Sequence, residues 1–326
     1  MPELSLIVSL LGGLILLAIS GDLLVNGAVG LGRRLGLSPL VAGIFIVGFG
    51  TSAPEMIVVL DAAQSGYPNL ALGNIVGSNI ANVLLVLALP ALITPIVPGS
   101  WGQGTAWTAM AIATAVWITF LSTMGLNASV AGLFLIALIG YAIFTFVSAG
   151  AAKAAGIDTG VEAGNESSIG LTRAIAFTIV GIIGLPLGAQ LIVDGGVEIA
   201  QFYGVPQEFI GLTLLAVGTS LPEIGAGIAS AIRSKTDVLI GNVLGSNVFN
   251  ILGAGGLISF FGPLTASPSF NNYDHWAMAG AALILGIFIF LRLRIGRLMG
   301  VALLLLYGVY IYGLVNGWNI RAAFGG

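Results

Sequence analysis

Residues 50–55 read GTSAPE and residues 218–223 read GTSLPE; residues 73–79 read GNIVGSN and residues 241–247 read GNVLGSN. One offset of 168 residues, without a gap, maps Glu55 on Glu223, Asn74 on Asn242, Ser78 on Ser246 and Asn82 on Asn250. Each copy sets an acid, hydroxyls, amides and a proline into stretches that are otherwise almost wholly apolar. Carboxylates at such depth are costly and mark ion pathways. A duplicated pair of them predicts a symmetric ion site.

The surroundings of the motifs set the class. The chain is 57% hydrophobic and 7% charged over 326 residues, with a mean hydropathy of +1.08. A soluble domain carries roughly 25% charge. Apolar runs long enough to cross a bilayer recur from end to end, so the expected class is all-α integral membrane. Glycine, at 49 residues, lets helices approach closely. Cysteine is absent, which removes disulfides, thiolate metal sites and cysteine nucleophiles. The N-terminus, MPELSLIVSL, lacks a basic n-region and reads as the first span rather than a leader.

Hydropathy predicts ten transmembrane helices, near 4–31, 38–65, 70–95, 103–122, 127–148, 169–200, 206–232, 238–262, 275–293 and 297–318. The polar stretch 149–168 reads as a cytoplasmic linker between a first five-helix repeat, 1–148, and a second, 169–326. Nine of the ten Lys and Arg residues fall at odd-numbered loops; only Arg321 does not. The positive-inside rule makes those loops cytoplasmic and places both termini outside. Five spans is an odd number, so the second copy enters the membrane inverted. The charges agree: Arg233, Lys235, Arg292, Arg294 and Arg297 map on Ser65, Tyr67, Met124, Leu126 and Ser129. Two inverted five-helix repeats with polar, interrupted helices are the pattern of secondary transporters.

Thr51, Ser52 and Glu55 stand at i, i+1 and i+4, so hydroxyls and carboxylate share a helical face. Pro54 cannot donate to the carbonyl of Gly50, nor Pro222 to that of Gly218, which predicts a helix break at each proline. In the next span Asn74, Ser78 and Asn82 form an i, i+4, i+8 stripe, repeated by Asn242, Ser246 and Asn250. The pooled donors are all oxygen, with two negative charges. Hard cations take such sets, and Ca²⁺ accepts about 6–8 oxygens of mixed type. One Ca²⁺ or two monovalent cations neutralise two carboxylates, so the two loads compete for one cavity. His275, the one histidine, is expected at a loop edge beside Asp274, in a solvated or interfacial role rather than as a ligand.

At these residues the chain resembles the cation/Ca²⁺ exchanger superfamily, and within it the Na⁺/Ca²⁺ exchanger branch of prokaryotic calcium/sodium antiporters. That resemblance rests on the paired GTS-x-P-E and GN-x-x-GSN segments at 50–82 and 218–250. It implies a sodium/calcium exchanger-like fold, with cations held by Thr51, Ser52, Glu55, Ser78, Asn82, Thr219, Ser220, Glu223, Ser246 and Asn250. Backbone carbonyls near Gly48, Thr51, Ala216 and Thr219 are implied as well, as is sliding of the long first and sixth helices. Asn250 stands where several prokaryotic and K⁺-dependent relatives carry aspartate, which weakens the case for K⁺ co-transport and leaves two acids at the centre. The threonine–serine pair favours Na⁺ over H⁺ as coupling ion.

The expected function is a secondary antiporter, not an enzyme, exporting Ca²⁺ on the Na⁺ gradient across a prokaryotic plasma (inner) membrane; the alternative is H⁺/Ca²⁺ antiport. The expected partners are Ca²⁺, Na⁺ and the lipid bilayer, with no cofactor, nucleic acid or obligatory protein partner. A membrane-embedded hydrolase lacks its histidines, and a channel would conduct without a counter-ion gradient. Asp22, Asp61, Asp194 and Glu198 lack acidic repeat mates; Asp61 is not expected to be a ligand, whereas Asp194 and Glu198, at i and i+4, read equally as the lining of an ion vestibule or as the interfacial end of a long helix.

Overall fold

The computed structural model describes residues 4–160, 169–204, 216–267 and 270–320. Its helices are α1 Leu4–Leu35, α2 Pro39–Gln64, α3 Pro68–Ile93, α4 Gln103–Thr123, α5 Ala128–Ala154 and α6 Leu171–Phe202. There follow α7 Leu221–Ile232, entered through a short helical turn at Ala216–Gly218, then α8 Thr236–Phe261, α9 Phe270–Phe290 and α10 Arg297–Val315. Nine of these are long and apolar enough to span a membrane among the described residues; α7 is the shorter apolar tenth. Residues 206–215 of its expected span, and Arg321, lie outside the described residues.

Most span ends agree with hydropathy to within a few residues. Two differ usefully. Helix α1 runs on to Leu35, with Arg33 and Arg34 in its last turn, where cations complement the helix dipole. Helix α5 runs to Ala154, so residues 149–154 of the expected linker are helical; alanine-rich sequence favours that continuation.

Contacts between loops sort the loops onto two faces. Loop 3–4 pairs with loop 9–10 through an antiparallel bridge, Ile96 to Ile295, and loop 4–5 pairs with loop 8–9 through Leu126 and Leu264. The repeat offset carries Ile96 onto Leu264 and Leu126 onto Arg294, the neighbour of Ile295. The two bridges therefore exchange between odd and even faces, as an inverted repeat requires. Arg34 Nη2 donates to the carbonyl of Ile169 at 3.0 Å, and Ser100 Oγ to Asp237 Oδ1 at 2.7 Å, again joining odd loops. Lys235, outside the spans, is held below the usual lysine range by burial and then by the Arg33 charge.

Helices α3 and α8 are the most buried and carry the core, with α2 beside them. Helices α1 and α6 lie against each other along their length through small residues. A Cβ on Gly188 would stand 2.9 Å from the backbone of Leu17, and one on Gly13 would stand 2.8 Å from the Gly188 carbonyl. Such close approach is how helices associate where lipid supplies no hydrophobic drive.

Candidate cation site

The site is built where the two copies cross. Hydropathy encodes a helix but not its hydrogen-bond register, and the register changes at the site. Helix α2 widens into a π-helical turn at Gly43–Gly48, immediately before the GTSAPE motif. Asn82 opens a second such turn in α3, Asn82–Val86, and Asn250 sits in a third in α8, Phe249–Ala254. Single π-turns inside helices cluster at functional sites.

The expected break at Pro54 is not there. Phe49–Gln64 is continuous through the proline, and the irregularity lies upstream in the wide turn. In the second copy the chain does break, at Thr219–Ser220, and Pro222 sits in the first turn of α7, where its missing N–H is harmless. The copies thus solve the proline problem differently.

Glu55 on α2 and Glu223 on α7 are 2% and 0% exposed, and their carboxyl groups face each other closely enough to interact. Ser52 Oγ donates to Glu223 Oε1 at 3.4 Å, while Thr51 Oγ1 donates to Asn242 Oδ1 at 3.2 Å. Gly48 contributes its carbonyl, which accepts from Ser246 Oγ at 3.3 Å and from Thr51 Oγ1 at 3.4 Å. Asn82 Nδ2 donates to Asn247 Oδ1 at 3.0 Å. Four of these five bonds run from one repeat to the other.

What remains unbonded is equally informative. Both oxygens of Glu55, Oε2 of Glu223, Oδ1 of Asn82, Oδ1 of Asn250 and Oγ of Ser220 are buried without a hydrogen-bond partner. A buried polar atom left unsatisfied costs about 1–3 kcal/mol, more when charged. So many acceptor oxygens beside two carboxylates are the donor chemistry of a hard cation. Ser78 is buried one turn before Asn82; Thr219 lies in the turn before Ser220, and Ala216 begins the short helical turn.

Other acids stand apart. Asp61, Asp194 and Glu198 are exposed, and Asp194 accepts from Gln190 Nε2 at 2.7 Å. Asp22 is taken by Arg233, whose Nε and Nη2 reach its two oxygens at 2.6 and 2.8 Å. That pair ties α1 to the end of α7 with side chains 37% and 46% exposed. Arg233→Ala is expected to lower the unfolding free energy by no more than about 1 kcal/mol, as for exposed ion pairs. A chemical-denaturation series on the purified protein checks it, and a larger loss would mean that lipid shields the pair.

His275 is not at a solvated edge: it is 3% exposed, and Asp274 is 5% exposed. A wide turn at Phe270–Asp274 starts α9 early and brings both residues under α4 and α10. Tyr310 Oη donates to Asp274 Oδ1 at 3.1 Å, and Ser122 Oγ lies 3.5 Å from His275 Nδ1. These partners come from distant segments, so no local pattern announces the burial. His275 also lines a cleft of about 740 Å³ between α4 and α9. None of the acids and amides described above lines it, so its size has no bearing on the carboxylate pair.

The residues that the stripe reading missed are Asn79 and Asn247. They stand one position after Ser78 and Ser246, off the i, i+4, i+8 stripe. The signal that would have found them is the repeat itself, which keeps an amide at both positions inside apolar helices.

Ten helices in inverted halves around a buried pair of carboxylates define a polytopic membrane protein built as secondary transporters are. The family model for sodium/calcium exchanger proteins matches residues 5–147 and 173–316, so the chain belongs to that family. It is similar to the inner membrane protein YrbG of Escherichia coli, 32% identical over 314 residues, covering 95% of this chain and 96% of that one. It is also similar to the sodium/calcium exchanger MaX1 of Methanosarcina acetivorans, 29% identical over 93% of this chain and 96% of that one. Among solved structures, the sodium-calcium exchanger NCX_Mj soaked with zero Na⁺ and Ca²⁺ superposes with a TM-score of 0.82. That match is at 30% identity and covers 96% of this chain and 100% of the other. The protein is a membrane antiporter of this family rather than an enzyme.

Proposed function

We propose that this chain exchanges Ca²⁺ for Na⁺ by alternating access and exports Ca²⁺ on the inward Na⁺ gradient. The observation that carries the reading is the pair Glu55 and Glu223, brought together from inverted copies, buried, and ringed by unbonded oxygens. The cations are bound by these carboxylates with Thr51, Ser52, Ser78, Asn82, Thr219, Ser220, Ser246 and Asn250, and by carbonyls at Gly48 and Ala216. An empty site leaves two neighbouring carboxylates in a low-dielectric interior, a poor state in which to change sides. Loading with one Ca²⁺ or two Na⁺ removes that penalty, which makes the exchange obligatory.

The moving part in this reading is the α1–α6 pair, which slides over the core and exposes the site to one side at a time. Residues 1–148 and 169–326 act as the two halves, joined by 149–168. In this reading the odd loops face the cytoplasm, which their Lys and Arg content supports, with both termini outside. Sliding of α1 breaks the Asp22–Arg233 pair.

The test is Ca²⁺ flux into proteoliposomes. Internal Na⁺ with none outside is expected to drive Ca²⁺ uptake, and a pH gradient alone is expected to drive none. Uptake on the pH gradient without Na⁺ would replace Na⁺ by H⁺ as the coupling ion. Uptake without either gradient, down the Ca²⁺ gradient alone, would make the protein a channel.

A further inference from the structure

Resting on the cation site just described, we propose that Asn247 and its repeat mate Asn79 are positioning residues. Asn247 holds the NH₂ group of Asn82, and Asn79 takes that of Asn250 when the site is loaded, so that in each case the carbonyl oxygen is the end left for the cation. The two ends of an asparagine amide have nearly the same shape and opposite polarity. A half-turn about the last torsion would present hydrogens to a metal ion, so a site that uses asparagine needs something to set its sense.

In one half the brace is complete. Asn82 Nδ2 donates to Asn247 Oδ1 at 3.0 Å, and Asn82 Oδ1 is left buried without a partner. The sense of Asn247 is fixed in turn, because its own Nδ2 lies 3.4 Å from the carbonyl of Asn79 and 3.3 Å from Met110 Sδ. Asn247 therefore has only its acceptor to offer Asn82.

The other half holds the same parts unassembled. Asn79 Nδ2 is committed to the carbonyl of Ile75 at 2.7 Å, which leaves Asn79 Oδ1 buried and unpartnered. Asn250 has neither Nδ2 nor Oδ1 bonded. Met110 maps under the repeat on Met278, which is also buried, on α9. Asn79 thus offers Asn250 the acceptor that Asn247 offers Asn82, and the bond closes when Asn250 turns its oxygen to the ion.

A double-mutant cycle on Ca²⁺ binding by the purified full chain separates orientation from packing. Asn247→Ala is expected to weaken Ca²⁺ binding on the order of tenfold, as loss of an outer ligand support does. A carboxylate at position 82 has oxygen at both ends and no sense to set. In an Asn82→Asp background the same Asn247→Ala change is therefore expected to cost less than about twofold. An unchanged affinity for Asn247→Ala, or an equal cost in both backgrounds, overturns the proposal. Should Asn247→Ala not fold, the mate pair Asn79→Ala and Asn250→Asp gives the same cycle with the same outcomes. Glu223→Gln measured alongside tells the two readings apart. If it binds Ca²⁺ normally the cation site itself is wrong; if it does not bind and the cycle is additive, only the brace is wrong.

Discussion

Glu223→Gln is expected to yield a protein that folds, resists heat at least as well as the parent in ion-free buffer, and no longer exchanges Ca²⁺. Glutamine keeps the shape and keeps an acceptor for the Ser52 hydroxyl, now 3.4 Å from Glu223 Oε1. It removes one of two neighbouring buried carboxylates, so the empty site loses a like-charge repulsion and one desolvation penalty. The same change takes half of the negative charge from the cation. At an effective dielectric of about 20, a divalent ion and a carboxylate about 4 Å apart attract by roughly 8 kcal/mol. Part of this is returned because the glutamine needs no desolvation. A net loss above about 3 kcal/mol still means more than about 100-fold in affinity. The measurement is a thermal melt with and without Ca²⁺, paired with flux. Saturating Ca²⁺ at about 100 times its Kd stabilises a binding protein by about 2.7 kcal/mol, and that increment is expected in the parent and absent in Glu223→Gln and Glu55→Gln. Arg33→Ala, at the end of α1, is expected to keep it. A Ca²⁺-dependent shift that survives in both glutamine variants would remove the carboxylates from the site.

The acids, hydroxyls and amides were legible because each occurs twice at one offset, in surroundings where a polar residue is expensive. Span ends were legible because hydropathy tracks lipid contact. What escaped is information that neither signal carries. The π-turns at Gly43–Gly48, Asn82–Val86 and Phe249–Ala254 are changes of backbone register within uniformly apolar helices, and they alter no residue pattern. Equal motifs also concealed unequal backbones: Pro54 rides inside a continuous helix, whereas Pro222 follows a turn at Thr219–Ser220. The repeat predicts a two-fold pair of bonds, yet Ser52 bonds Glu223 while Ser220 and Glu55 remain unbonded. His275 was misplaced for a different reason. Its cover is supplied by Ser122 and by the Tyr310–Asp274 contact, from chain segments that no local window includes.

The same crossing makes a second large effect predictable far from any charge. Helices α2 and α8 touch backbone to backbone, because Gly43, Gly241 and Gly245 have no side chains to hold them apart. A Cβ on Gly241 would stand 2.5 Å from the Leu40 carbonyl and 3.1 Å from Gly43 Cα; one on Gly245 would stand 2.7 Å from the Ile44 carbonyl. The obstacles are main chain on the facing helix, so no rotamer change relieves them and the helices must separate. Gly241→Ala is therefore expected to cost about 3 kcal/mol, the upper end of ordinary overpacking. It is also expected to abolish exchange, since Thr51 to Asn242 and Ser246 to Gly48 are the bonds spanning this crossing. Gly140→Ala supplies the contrast. It lies on exposed α5, where an added Cβ meets nothing within 4 Å, and alanine there is expected to be neutral or to stabilise by up to about 1 kcal/mol. Thermal unfolding and Na⁺-driven Ca²⁺ uptake on both variants decide the matter: if Gly241→Ala melts and transports like Gly140→Ala, the two halves are not held in register by that glycine crossing.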